Sequence, residues 1–331
     1  MPANVTPRNM NGATEAGRSM PCASPHAATA PPYIVWASTL ASVVEPTAST
    51  APAQRSLPNG RGLPDNLLDC IRGGADALAR VRDVQAQAEQ RLKAGSSEHI
   101  LWLKDVAARP PLFPGKIMAI GKNYSDHAAE TGSAAYSRPA GFIKHVDTLI
   151  ADGDTIRKPA WTDKLDYETE LAVVIGDECA DVPPEEAYEH IFGYTIMNDV
   201  SARDIQMSER KEGNILIGKN FPTAAPLGPW VVTKDEVANP HNLLLTTKVN
   251  GELRQSANTG TQIFHIPAQV AWYSHAGLYP GDIISTGTPA GVAMGYKGEG
   301  SWYLKNGDII ESEIEKIGVL RNPVSTRKRR S

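Results

Sequence analysis

Asp166-Tyr167-Glu168-Thr169-Glu170 runs directly into Leu171-Ala172-Val173-Val174-Ile175-Gly176, and the reading of this stretch decides the fold. A polar start followed by an apolar, β-branched run and a closing glycine reads as a strand that begins at a site and enters a core. Side chains alternate across a strand, so Glu168 and Glu170 share a face, roughly 6–7 Å apart at the backbone. Two carboxylates on one face repel each other and resist desolvation unless positive charge sits between them. A hard divalent cation such as Mg²⁺ meets that need through oxygen ligands. The plainer alternative is a solvated strand face.

The surrounding chain has 331 residues, 41% hydrophobic and 21% charged, which is ordinary globular usage. Its net charge of −4 gives no basic bias, so nucleic acid is not an expected partner. No apolar run approaches the ~20 residues needed to span a bilayer, so no membrane association is expected. Cys22, Cys70 and Cys179 lie far apart with no C-x-x-C, which provides neither a zinc site nor a disulfide framework and fits a reducing, cytoplasmic setting.

Residues 1–60 differ from the rest. Nine of the 25 prolines fall within positions 1–58, and Glu15 and Glu45 are the only acidic residues before Asp65. Such a segment buries too little surface to offset its ordering entropy, so it reads as a disordered or atypical N-terminal segment. Its low acid content and abundant serine also allow a transit peptide, which would place the protein in the mitochondrion. Residues 61–113 read as a small helical N-terminal region, with helices near 63–71 and 75–93. Residues 114–322 read as the catalytic β-roll domain, and 323–331 as a basic tail.

Within the β region, short strands are expected at 116–121, 141–144, 193–200, 301–305 and 309–314. Asn250-Gly251 marks a hairpin, and Ile266–His275 reads as a helix with Pro267 in its first turn. Many short strands with glycine turns and few helices indicate a closed or rolled β architecture. Asp126 to Glu130 has the spacing of a helical turn, so His127 and Glu130 can touch. A carboxylate beside an imidazole orients it as a general base; a surface ion pair is the alternative. Gly291 to Gly300 is glycine-rich but has no phosphate-loop spacing.

Five motifs then converge. They are Gly121-Lys122-Asn123-Tyr124-Ser125-Asp126-His127; Asp166 to Leu171; Asn198-Asp199-Val200-Ser201-Ala202-Arg203-Asp204; Gly218-Lys219; and Pro280-Gly281-Asp282-Ile283-Ile284 through Thr286-Gly287-Thr288-Pro289. In order and spacing the chain resembles the fumarylacetoacetate hydrolase family from about residue 110 to 320. The resemblance implies a mostly β fold with short helices (α+β), a mixed β-sandwich roll in a homodimer, with Mg²⁺ or Mn²⁺ as cofactor. It implies Glu168, Glu170 and Asp199 as metal ligands, and His127, Glu130 and Lys219 as catalytic residues. Thr288, Arg203 and Gln206 are the implied substrate contacts, although Arg203 could equally pair with a nearby carboxylate.

Asn123 departs from the larger fumarylacetoacetases, which place a further metal-binding aspartate just before the tyrosine of that motif. The His127–Glu130 pair instead resembles the smaller acylpyruvate hydrolase and oxaloacetate decarboxylase branch. The implied substrate is a small 2-oxo acid with a second carbonyl, cleaved hydrolytically at a C–C bond through a metal-stabilised enolate. Oxaloacetate decarboxylation, or isomerisation or hydration of a hydroxymuconate-type dienol dioate from aromatic breakdown, are the alternatives. A catalytically silent protein that binds metal or 2-oxo acids is the non-enzymatic one.

Overall fold

The computed structural model describes residues 64, 66–97, 100, 107–130, 132, 136–298 and 300–326. The N-terminal segment 1–60 and the last five residues of the basic tail lie outside the described residues. Two helices come first, α1 (Leu67–Arg72) and α2 (Gly74–Lys93). Asn66 caps α1 by accepting a hydrogen bond from the Asp69 amide at 3.0 Å. Gly74, at φ +57, takes the left-handed conformation that lets the chain begin a second helix at once.

The β region follows, with β1 (Ile117–Ile120), α3 (Ser125–Glu130), β2 (Gly141–Lys144), β3 (Leu149–Ile150), β4 (Ile156–Lys158), β5 (Leu165–Asp166) and β6 (Thr169–Ile175). Then come β7 (Ile191–Asn198), β8 (Ser201–Ala202), α4 (Arg203–Lys211), β9 (Ala225–Thr233), β10 (Leu244–Val249) and β11 (Glu252–Asn258). The described chain ends with α5 (Ile266–Ser274), β12 (Ile283–Ser285), β13 (Ile309–Ile314) and β14 (Gly318–Thr326). A seven-stranded mixed sheet has the order β2-β1-β12-β6-β7-β9-β3, and a five-stranded sheet has the order β11-β10-β13-β14-β4. Strands β5 and β8 form a separate short ladder. Among the described residues no helix is long and apolar enough to cross a membrane.

Strand β6 lies in the middle of the seven-stranded sheet and is buried at every position. Its parity explains the unbroken apolar run. Leu171, Val173 and Ile175 enter a core shared with Leu245, Ile314 and Leu320 of the second sheet and with Ile266 and Val270 of α5. Ala172 and Val174 enter a second core with Ile117, Leu227, Ile283 and Ile71 of α1. A strand covered on both faces must be apolar on both.

The same parity continues into the polar start. Thr169, on the Leu171 face, meets the second sheet. Its hydroxyl donates to Ser312 Oγ at 2.6 Å, and Thr247 Oγ1 lies 2.6 Å from both Thr169 Oγ1 and Gln255 Oε1. Gln255 Nε2 in turn donates to Thr288 Oγ1 and to the Pro289 carbonyl, both at 2.9 Å. A buried polar chain thus links the two sheets and ends at the loop after β12.

Two sequence expectations need correction. Ser301–Lys305 is not a strand; it is an irregular segment held to the domain by the Leu304 amide, which donates to the Leu165 carbonyl at 2.8 Å. The final hairpin joins β13 to β14 through a tight turn with Lys316 at φ +65. The basic tail also begins later than residue 323, because β14 continues to Thr326 and pairs in parallel with β4 at Val324–Thr326. Pro323, opposite Ile309, is accommodated within it. The Asn250-Gly251 hairpin forms as expected, with φ of +53 and +80 at its two turn residues.

Replacing Thr169 by the near-isosteric valine would take from the buried Ser312 hydroxyl its Thr169 partner and leave Thr247 with Gln255 alone. We expect a loss of about 1–3 kcal/mol in denaturant unfolding. A stability equal to that of the native chain would show that the polar chain does not tie the sheets together.

Candidate active site

Register brings the site together. Thr169 of β6 pairs with Asn198 of β7, so Asp199 emerges beside Glu168, and the Asp199 amide donates to the Glu168 carbonyl at 2.8 Å. Ser285 of β12 pairs with Ala172 and so reaches Glu170. Glu168, Glu170 and Asp199 are all buried, and an oxygen of each lies within 4.8 Å of the others. At that separation, two carboxylates in a medium of effective dielectric ~20 repel by roughly 3–4 kcal/mol.

Three cations hold two of these carboxylates. Lys219 Nζ donates to Glu168 Oε2 at 2.5 Å and to Asp199 Oδ2 at 2.6 Å. Lys144 Nζ donates to Asp199 Oδ1 at 2.6 Å and to the Lys219 carbonyl at 2.7 Å. Arg203 donates through Nη2 to Glu168 Oε1 at 2.5 Å, through Nε to Asp166 Oδ2 at 2.7 Å and through Nη1 to Gln206 Oε1 at 3.0 Å. Burial acts to raise the Glu168 pKa, but Arg203 and Lys219 outweigh it and hold the carboxyl well below its usual range. Burial likewise opposes the charge on Lys219, and Asp199 and Glu168 overcome it, so its pKa is raised. Lys144 goes the other way: burial, reinforced by Lys219, lowers it despite Asp199.

Glu170 is different. Its Oε2 accepts from Ser285 Oγ at 2.5 Å and from the Gly287 amide at 2.9 Å, not from a cationic side chain. Burial, with the Asp199 and Glu168 carboxylates alongside, pushes its pKa well above the ordinary value. Three hard oxygen donors, one of them stranded among like charges, suit a hard divalent cation such as Mg²⁺ or Mn²⁺.

The helix α3 carries the expected pair. His127 Nδ1 lies 3.4 Å from Glu130 Oε2, with the His127 side chain 7% exposed. His127 and the carboxylate cluster line one pocket of about 730 Å³ including its open mouth, a size suited to a small molecule. Lys219, Arg203, Gln206 and Thr288 also line it. The Lys219 ammonium sits 5.1 Å from the centre of the Phe142 ring. The Thr288 hydroxyl donates to the Thr169 carbonyl at 2.9 Å and accepts from Gln255. It is therefore anchored by the fold, and an acceptor lone pair and the neighbouring backbone are what it can offer a ligand.

Asn123 shows why an aspartate is missing there. Its amide nitrogen donates to the carbonyls of Phe264 at 3.0 Å and Thr286 at 2.8 Å, and its oxygen accepts from the Phe264 amide at 2.8 Å. A carboxylate could not donate to either carbonyl. Asn123 is a clasp between the first motif, Phe264 and the loop after β12, and both ends of its amide are engaged there.

Sequence reasoning did not single out four residues that the fold brings in. Lys144 and Asp166 are buried partners of the cluster. Lys122 and Arg210, both half-buried, also line the pocket. Lys122 has φ +57, a strained conformation for a non-glycine residue, and its ammonium lies 5.3 Å from the Tyr136 ring centre. Burial, then Arg210, lowers its pKa. The available signals were the position of Lys144 at the end of a short strand and Asp166 within the DYETE motif. Arg210 carries no local signal.

A second cluster, Asp177, Cys179 and His190, lies beyond the far end of β6. There His190 Nδ1 and Asp177 Oδ1 are 2.5 Å apart, and burial pushes the Cys179 thiol up to about 11. It is a surface His–Asp pair over a neutral thiol.

The family described as fumarylacetoacetate (FAA) hydrolase, C-terminal, matches residues 116–325. The mitochondrial oxaloacetate tautomerase fahd2 of Xenopus laevis is 38% identical over 267 residues, covering 78% of this chain and 82% of the relative. The oxaloacetate tautomerase YisK of Bacillus subtilis is 39% identical over 277 residues, covering 82% and 90%. Among solved structures, a 2-hydroxyhepta-2,4-diene-1,7-dioate isomerase from Mycobacterium marinum superposes with a TM-score of 0.60 at 38% identity, covering 69% of this chain and 81% of the other.

Glu170→Gln keeps the shape of the side chain and removes its charge. We expect Mn²⁺ or Mg²⁺ affinity, measured by calorimetry, to fall at least ~100-fold, since even partners outside the ligand set are worth 10–100-fold. Melting temperature should hold or rise. Undiminished metal affinity would remove Glu170 from the ligand set.

Proposed function

The chain belongs to the fumarylacetoacetate hydrolase family, and we propose that it is a divalent-metal-dependent enolising enzyme that interconverts the keto and enol forms of an oxaloacetate-type 2-oxo dicarboxylate. The observation that carries this reading is a single pocket lined by the carboxylate cluster and by His127, with Glu130 beside the His127 ring. Two relatives about 40% identical over most of the chain are oxaloacetate tautomerases, which fits that chemistry.

Glu168, Glu170 and Asp199 would hold the Mg²⁺ or Mn²⁺. When bound, the cation supplies Lewis-acid stabilisation of the negative charge that an enolate places on the 2-oxo oxygen. The chain's own side chains do the rest. Glu130 faces His127 Nδ1, which leaves Nε2 as the atom that takes the C3 proton of the keto form. The same proton, or one from solvent, completes the enol hydroxyl. Lys219 is kept charged by its two carboxylates and offers a preorganised cation at the reacting end of the pocket. Lys122 and Arg210 add positive charge to the lining of the pocket, where they would meet a distal carboxylate.

Hydrolytic cleavage of an acylpyruvate, the outcome expected from the resemblance, needs a further step, attack of water on a second carbonyl. Tautomerisation needs only the proton transfer that His127 and Glu130 carry out. The deciding experiment follows the loss of enol absorbance from oxaloacetate with Mg²⁺ or Mn²⁺, beside CO₂ release from oxaloacetate and cleavage of acetylpyruvate. Faster acetylpyruvate cleavage than oxaloacetate tautomerisation would replace this reading with the hydrolase.

His127→Ala should lower kcat for tautomerisation by ~10²–10⁴-fold; a kcat equal to that of the native enzyme would take His127 out of the reaction. Lys122→Glu should raise KM for oxaloacetate at least ~10-fold, because like charges brought together cost several kcal/mol. It should leave KM for acetylpyruvate far less changed. Equal effects on both substrates would show that Lys122 does not read the distal carboxylate.

A further inference from the structure

The glycine-rich stretch after β12 is not explained by its turns alone. Its first part, Gly291 to Gly295, lies against both halves of the site. On one side the Gly291 amide donates to Glu130 Oε1 at 3.1 Å. On the other the Ala293 and Met294 amides donate to the two oxygens of Asp166, at 2.7 and 3.0 Å. Asp166 in turn receives Arg203, which reaches Glu168. Tyr167 Oη donates to the Gly291 carbonyl at 3.0 Å. Downstream, Tyr296 stacks on Trp302 at 3.8 Å, and the Arg254 guanidinium lies 4.1 Å from the Trp302 ring centre.

Gly291 is a glycine for two backbone reasons: its φ is +98, and a Cβ would overlap the Arg254 carbonyl. Gly295 has neither. Its φ is not in the left-handed region, and it closes a 3-10 turn, Ala293–Gly295, that any residue could adopt. What forbids a side chain is space. A Cβ at Gly295 would overlap Cδ, Oε1 and Cγ of Glu130, and those are its three nearest atoms. The Glu130 carboxyl occupies the space a side chain would need.

We propose that Gly295 is a positioning residue: its missing side chain makes the berth in which the Gly291–Gly295 turn sets the Glu130 carboxylate against His127. The turn thereby ties α3, which carries the proton-transfer pair, to the Asp166–Arg203 arm of the carboxylate cluster. The proposal rests on the reading of His127 and Glu130 as that pair.

The three atoms nearest to a methyl at Gly295 all belong to one flexible side chain, so the fold can relieve the overlap by moving Glu130. The test is a cycle of Gly295→Ala, Glu130→Ala and the double variant, with oxaloacetate tautomerisation, Mn²⁺ affinity and melting temperature measured for each. A displacement of about 1 Å in a catalytic group can cost ~10²-fold. Gly295→Ala should therefore lose roughly that in kcat, with KM and Mn²⁺ affinity within about threefold. In the Glu130→Ala background the same substitution should cost nothing more, because all three overlapping atoms are gone. Gly300→Asn, at a left-handed position with open space around it, should leave kcat unchanged.

A Gly295→Ala enzyme with native kcat overturns the proposal. So does a double variant that falls below Glu130→Ala by the full Gly295→Ala factor, which would place the effect elsewhere. If Gly295→Ala does not fold, recovery of folded protein in the double variant supports the berth, and failure of both overturns it. Native kcat in Glu130→Ala alone would sink the proton-transfer pair itself, an outcome distinct from a failure at Gly295.

Discussion

Three carboxylates gathered in one buried place would drive each other apart, and much of the surrounding structure exists to prevent this. Lys219 spans Glu168 and Asp199, Lys144 holds the second oxygen of Asp199, and Arg203 holds the second oxygen of Glu168. Removing one partner from a buried pair costs about 3–5 kcal/mol, because the remaining charge is left uncompensated. The cluster is therefore not an ornament on a finished fold. The ends of β2, β6 and β7 and the start of α4 must arrive together for any of these charges to be tolerable. Glu170, held by a hydroxyl and an amide, is the one position where the compensation is incomplete.

The alternation of β6 joins this constraint to the core. One parity carries Leu171, Val173 and Ile175 into the inter-sheet core and Thr169 into the hydroxyl chain. The other carries Ala172 and Val174 toward α1 and Glu170 toward the site. A slip of one residue would exchange every one of these environments. The apolar run thus fixes where the carboxylates point, and the buried Thr169–Ser312 contact fixes it again from the opposite side. The Thr288 loop is referred to the same strand through Gln255, so both ends of the pocket share one frame.

The proton-transfer side is built more lightly. α3 has six residues, too few to be stable alone. It is held by Asn123, whose amide clasps the chain to Phe264 and Thr286, and by the turn that receives Glu130. A short element of this kind is free to differ in stability from the sheets beneath it.

The sequence by itself determined the strand β6, the Asn250-Gly251 hairpin, the helix after His265 and the Glu168/Glu170 pair, each through local physics: parity or turn chemistry. Asp199 joined that pair through the family resemblance, not through local spacing. Sequence reasoning misjudged Ser301–Lys305, an irregular segment in which Trp302 stacks on Tyr296 and the Leu304 amide bonds to the Leu165 carbonyl. It also missed β14 and ended the β domain too early, at residue 322, because the pairing of β14 with β4 joins segments far apart in the chain. Lys144, Asp166, Lys122 and Arg210 entered the site only through tertiary structure. A lysine is unremarkable in sequence until its neighbours in space are known, and burial and charge pairing are properties of those neighbours. The same holds for Gly295, a glycine among glycines in the chain, whose meaning lies in the one side chain that fills the space beside it.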